Sequence, residues 1–364
     1  MTTTTLFTGA RRNYAATRQV HYKNSYKMRL MDRCILDDIC NGNPENIKSY
    51  LGVGKGSEVE LYIPGNVKVR ETAPDGGIIY QTMTDTFERF GINHECYWAI
   101  KRRPEDKAFM PFDPMSDHFT SATDQMARHM EKMFGAIMPS LVPSFNKGHN
   151  AGVTYGAFDL GDCTAGDAVV LYKTQRQVDR AIDVPHRAVA ADFILGLAEV
   201  IRENEGLSGG HVNVVVPSPI RHLIATSELK YEGLMGRNAR LGSGKRGGRN
   251  EVKFLGTMDD TVGLIMNNIM FRDSVMTYEA DGKKHTIYPI YAQMADANAF
   301  VHDTLLREDA LKDVGVWDEH YRAKEVYDFP VVFPQMMAIA YVEIAEPAYC
   351  PHPSGGNGGS EDNA

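Results

Sequence analysis

Cysteine is scarce in this chain: Cys34, Cys40, Cys96, Cys163 and Cys350 are all that 364 residues contain. They are odd in number, scattered, and stand at no metal-ligand spacing. That argues against a disulfide framework and for a reduced, cytoplasmic setting. Apolar runs of ~18 residues are missing, so no segment reads as a membrane span. Residues 1–10 are Thr-rich and lack the basic-then-apolar pattern of a leader. A positive balance is missing too: 39 Lys and Arg against 47 Asp and Glu leave a net charge of -8. Tight, sequence-independent grip on phosphates calls for a basic protein, so it is not expected as the main activity.

Catalytic signatures are equally thin. Gly242-Ser243-Gly244-Lys245 invites a phosphate-loop reading and fails it. Ala239 stands where the first glycine belongs. Arg246 stands where a hydroxyl is needed for magnesium. None of the 12 histidines forms an i, i+4 pair around a glutamate. His118 and His129 share one helix without meeting. Asp259-Asp260 and the Glu203/Glu205 pair read as solvated acids. No Gly-x-Ser-x-Gly elbow surrounds a serine. Cys163 sits in Gly161-Asp162-Cys163-Thr164 with no cue for an activating base. No catalytic residue, cofactor or metal ligand is assigned, and no enzyme activity is expected.

What the chain does have is pattern. Hydrophobic content of 43% and charged content of 24% suit a globular protein. The 18 methionines suit adaptable packing. Residues 92–138 organise the rest. Phe90, Ile92, His94, Cys96, Trp98 and Ile100 alternate with polar or small residues, which predicts a half-buried strand. Asp113 and Pro114 form a helix start. Met115, Phe119, Ala122, Met126, Met130, Met133, Phe134 and Ile137 then mark one helical stripe, with Pro139 as its expected stop. Such a helix is roughly 35–40 Å long.

The flanks are less self-sufficient. Residues 1–54 form a basic arm with Arg11, Arg12, Arg18, Lys23, Lys27 and Arg29. It has too little apolar content to build a core and is expected to lie on something else. A short helix over 28–39 is expected within it. Val59, Leu61 and Ile63 alternate, and the turn chemistry of Pro64-Gly65-Asn66 and Pro74-Asp75-Gly76-Gly77 leads into a return strand over 78–86. A hairpin of that kind is marginal alone. It either folds back or reaches a neighbouring subunit.

Further on, a short strand is expected over 154–158 and a helix from Pro185. Val212 to Val216 reads as a central strand covered on both faces. Pro217-Ser218-Pro219 turns into a short helix over 220–228. Residues 233–250 make a Gly/Arg-rich loop. Strands are expected at 252–255 and 262–269, and Asp281-Gly282 closes a hairpin. A helix is expected over 305–312 and an extended edge strand over 327–344. The tail, 351–364, is expected to be disordered.

These stretches, in this order, resemble the major capsid protein of tailed double-stranded DNA bacteriophages, particularly the short-tailed type. Residues 56–64 and Thr82-Met83-Thr84-Asp85-Thr86 are similar to that family's extended E-loop. Residues 92–105 and the helix after them look like its peripheral strand and spine helix. His211-Val212-Asn213-Val214-Val215-Val216-Pro217-Ser218-Pro219, after a helix, resembles its axial domain, as does the strand pair ending in Asn267-Asn268.

The resemblance implies an α+β capsid fold. Its parts would be an N-terminal arm (1–54), an E-loop (55–90), a peripheral domain (91–160) with spine helix 114–138, an axial domain (161–320), a returning peripheral strand (321–350) and a tail. It implies hexamers and pentamers of an icosahedral shell around double-stranded DNA. Scaffolding and portal proteins would be partners, with assembly in the host cytoplasm. Inter-subunit contacts are expected at Arg11, Arg12, Arg18, Lys68, Arg70, Arg237, Arg240, Lys245, Arg246 and Arg249; those of the arm and of the Arg237–Arg249 loop are expected to pair with acids on adjacent subunits rather than with DNA. Neither a cross-link partner nor a nearby catalytic acid is identifiable for Lys68, so no cross-link is expected. The alternatives are an encapsulin-like compartment and, further off, a soluble α/β enzyme near Pro217 to Pro219.

Overall fold

The computed structural model describes residues 34–40, 47–48, 58–63, 86–102, 115–152, 158–205, 210–225, 254–258, 262–280, 282–309 and 319–345. Helix α1 (Leu36–Ile39) and strands β1 (Ile47–Lys48), β2 (Glu58–Ile63), β3 (Thr86–Gly91) and β4 (His94–Arg102) precede helix α2 (Met115–Leu141). Strand β5 (Val169–Tyr172), helix α3 (Gln175–Arg180), strand β6 (Arg187–Val189), helix α4 (Ala190–Glu205), strand β7 (Val212–Val216) and helix α5 (Ser218–Ala225) follow. The remainder is extended: β8 (Phe254–Met258), β9 (Val262–Met266), β10 (Met276–Ala280), β11 (Lys283–Met294), β12 (Val301–Asp309), β13 (Glu319–Asp328) and β14 (Met337–Ile344).

Three sheets result. The largest runs β6-β5-β14-β11-β7-β9-β8, with β10 paired on β11. Every residue of β7 is buried, as its unbroken apolar run requires. It lies parallel to β9 and antiparallel to β11. Helix α4 covers the sheet with Phe193, Ile194, Leu197, Val200 and Ile201, all buried. The β10–β11 hairpin closes after the Ala280↔Lys283 pair, with Gly282 of its turn at φ 71°. That left-handed backbone is cheap only for glycine.

A second sheet, β12-β13-β4, is antiparallel throughout. The period of two in β4 is borne out residue by residue. Ile92 is buried and His94, Cys96, Trp98 and Ile100 are half-buried, while Gly91, Asn93, Glu95, Tyr97 and Ala99 are exposed. Helix α2 packs on the inner face. The Trp98 and Phe119 rings meet edge to face at 5.2 Å, and Cys96 Sγ lies 3.3 Å from Met126 Sδ. Met126, Met130, Phe134 and Met138 form the buried stripe. Gly135 permits a close approach: a Cβ there would lie 1.8 Å from the Met270 carbonyl oxygen.

The third sheet is β1-β2-β3, in which the β2–β3 pair runs from Glu58↔Gly91 to Ile63↔Thr86. Only Ile92 and Asn93 separate β3 from β4.

Several expectations are corrected. Residues 305–312 are not helical where described: Val301–Asp309 is a strand paired along its length with β13. Long-range ladder pairing overrides the local pattern there. The extended stretch 327–344 is two elements. Tyr327 and Asp328 end β13, whereas β14 is an interior strand between β11 and β5 in the large sheet. The strand that returns to β4 is therefore β13. The helix expected from Pro185 starts at Ala190, because Arg187–Val189 pairs with β5 first. Pro139 lies inside α2, which runs on to Leu141. Proline lacks one N–H but has a helical φ, so the last turn absorbs it. Asp113, Pro114 and most of 154–158, together with 226–253 and the tail, lie outside the described residues.

Candidate functional site

All ten basic positions singled out for inter-subunit contact, Arg11, Arg12, Arg18, Lys68, Arg70, Arg237, Arg240, Lys245, Arg246 and Arg249, lie outside the described residues.

The arm is different where it is described. Cys34, Ile35, Leu36, Ile39 and Cys40 are all buried in the main core of the same chain. Three interior polar side chains receive this segment. Glu131 of α2, wholly buried, accepts the Ile35 N–H at 3.0 Å. Gln293 of β11 donates to the Ile39 carbonyl at 2.9 Å. Asn213 of β7 donates to the Asp38 carbonyl at 3.3 Å. Gln293 is fixed in turn by Tyr291 and Asn298, at 2.7 and 2.8 Å. Buried polar groups of this kind must be paired, and the incoming backbone pairs them. The expectation that residues 1–54 lie wholly on something else is thus corrected for 34–40.

Glu131 also ties the helix to the large sheet. Its second oxygen accepts from Asn267 Nδ2 at 2.9 Å, and Asn267 Oδ1 accepts the N–H groups of Ile269 and Met270. The Asn267-Asn268 signature is therefore structural. Asn268 Oδ1 caps the backbone N–H of Ser218 at 2.7 Å, where α5 begins.

The outer face of the small antiparallel sheet is open. Tyr97 is 76% exposed there. Lys324 reaches Glu95 at 2.6 Å across the neighbouring strand. On the inner face, wholly buried Glu325 faces His302 at 2.9 Å. Burial, followed by the charges of Glu325 and Glu95, pushes the Cys96 thiol up to about 12. Burial likewise raises the thiols of Cys40 and, with Asp162, of Cys163. Thiols shifted this way are poor nucleophiles.

No family model matches the chain, and no curated protein does. Solved structures do match. The capsid of Ralstonia phage GP4 is 12% identical, with 84% of this chain and 90% of that one covered and a TM-score of 0.49. The capsid of cyanophage P-SCSP1u is 10% identical over 81% and 85%, with a TM-score of 0.46. A virus-like particle from Pyrococcus furiosus is 11% identical over 88% and 99%, with a TM-score of 0.40. The chain is similar to phage capsid structures.

One cluster escaped the sequence reading. His149, Asp159 and His186 meet in space although they come from three separate segments. Their spacing matches no local motif, so only the folded chain reveals them. No helix among the described residues is long and apolar enough to cross a membrane.

Proposed function

We propose that this chain is the major capsid protein of a tailed bacteriophage, building a closed icosahedral shell of hexamers and pentamers around double-stranded DNA. One observation supports this most: the stretches that carry the resemblance fold into elements of the implied kind, in the implied order. Strands β2 and β3 pair as the base of a hairpin. Strand β4 is followed by the 27-residue α2. Helix α4 leads to the buried strand β7 and the short helix α5. Strands β8 and β9 pair ahead of Asn267-Asn268.

In this reading the large sheet lies toward the capsomer centre. The small sheet and α2 form the capsomer edge, and the hairpin reaches across a neighbour. Residues 34–40 anchor the arm in its own subunit, so only the part before them is left to reach outward. The basic positions in the arm and in 233–250 pair with acids on adjacent copies. A net charge of -8 suits a container, since walls that do not hold DNA tightly let it leave. Portal and scaffolding proteins are the further partners, and the host cytoplasm is the place of assembly. The chain's role is structural rather than enzymatic.

Sedimentation velocity tests the reading. The full chain is expected to form particles far larger than one 40.5 kDa subunit. A variant with residues 64–85 replaced by a short Gly-Ser turn is expected to stay folded by circular dichroism yet remain small. Particles that form equally well without the hairpin would contradict its assigned role.

A further inference from the structure

His149 follows the 3-10 turn Ser144–Asn146 at the end of α2. Asp159 lies just after the Ala151↔Phe158 bridge. His186 precedes β6, and its carbonyl accepts the Val170 N–H of β5 at 2.8 Å. The three side chains converge. His149 Nδ1 is 2.8 Å from Asp159 Oδ1, and His186 Nδ1 is 2.5 Å from Asp159 Oδ2. The two imidazole rings lie against each other, with centroids 4.4 Å apart and planes at 30°. One potential ligand atom from each residue lies within 4.8 Å of the other two. The carboxylate is held in place, because Oδ1 also accepts the Gly161 N–H at 2.9 Å. Gly161 has φ 69°, and a Cβ there would lie 2.5 Å from the Tyr341 carbonyl oxygen. The turn that aims Asp159 therefore requires glycine. The cluster is open to solvent: the side chains of His149, Asp159 and His186 are 36%, 31% and 27% exposed.

We propose that His149, Asp159 and His186 bind a divalent transition-metal cation of the zinc class. The donor set decides the class. Two imidazole nitrogens with one carboxylate oxygen suit zinc and its neighbours, whereas calcium and magnesium take oxygen ligands. The geometry is close to what is needed. Ligands at ~2.0–2.2 Å around a tetrahedral centre lie about 3.4 Å apart. The pairs seen at 2.5 and 2.8 Å reach that spacing by opening less than about 1 Å, shared among three half-exposed side chains.

Binding sets the tautomer. Without the cation, each Nδ1 carries the hydrogen it donates to the carboxylate. With it, both rings take the Nε2–H form and offer Nδ1 lone pairs to one point. Three protein ligands leave a fourth position facing solvent, which water fills. The bound ion joins the loop that ends α2 to the β5–β6 edge of the large sheet. This holds whether or not the chain builds a shell.

The test uses the full-length chain without a histidine tag. It is stripped with a chelator, desalted, incubated with zinc sulfate and desalted again. Elemental analysis is expected to find about one zinc per chain. Cobalt(II) is expected to give visible ligand-field absorption in the same protein. Asp159→Asn, His149→Ala and His186→Ala are expected to weaken binding roughly tenfold or more and to remove the cobalt signal. His118→Ala, at an exposed position on α2, keeps both. Asp159→Asn preserves shape, so its folding, checked by circular dichroism, keeps the comparison valid. Zinc should raise the melting temperature of the wild type and not of these three variants. No zinc retained by the wild type, equal retention by Asp159→Asn and His186→Ala, or calcium retained in preference to zinc would each overturn the site.

Discussion

Single residues carry the sharpest constraints. Gly135 sits in the interior of α2, where alanine would ordinarily stabilise by about 1 kcal/mol. Here the Met270 carbonyl occupies the space a methyl needs. Gly135→Ala is therefore expected to destabilise by roughly 1–3 kcal/mol, read as a lower urea midpoint. An unchanged or higher midpoint would mean the helix does not meet that turn. Buried acids set the alkaline limit. The Cys96 thiol is pushed up to about 12 by burial and then by Glu325 and Glu95. The Tyr341 phenol is pushed up to about 12 by burial and then by Cys163 and Asp162. Burial also raises Tyr291 and Tyr327. Folded values above unfolded ones mean that the stability these groups contribute is complete below about pH 9 and is lost as pH rises through the folded values. The urea midpoint is expected to hold level up to about pH 8.5 and then fall steadily, less steeply in Cys96→Ala. A midpoint that rises above pH 9 would contradict this. At this scale the sequence showed little. Glu131 and Gln293 look like surface residues until the fold buries them against the backbone of 34–40. Ile35, Leu36 and Ile39 were visible as apolar, but the basic residues around them pointed to an arm rather than a plug.

Among the elements, legibility followed locality. The alternation in β4 and the stripe of α2 are written in consecutive residues, and both formed as read. The buried strand β7 was legible for the same reason. What failed depended on distant partners. Residues 305–312 look helical alone, yet Val301–Asp309 finds a full ladder on β13. Residues 327–344 look like one edge strand, yet their two ends belong to different sheets. Strand β13 is the hinge of that outcome, since it lies between β12 and β4. Ala323 is buried and stands opposite both Leu306 and Trp98. Ala323→Pro removes a ladder donor from a central strand. Amide protection is expected to drop in β4, β12 and β13 while β7 and β9 stay protected. Uniform loss across both sheets would show that the two do not unfold separately.

The molecule as a whole is unevenly built. One sheet with its helices holds most of the buried side chains, a second sheet stands on α2, and a third is paired only within itself among the described residues. The sequence announced that imbalance through a hairpin with little to bury and an arm rich in Arg. Its reach was overstated, since 34–40 returns to its own core. On the proposed reading, the surfaces left over close against other copies. The most direct measurement is negative-stain electron microscopy of the purified full-length chain. The account predicts closed, isometric shells of uniform diameter. A field of small single particles at high protein concentration, with the chain folded, would contradict it.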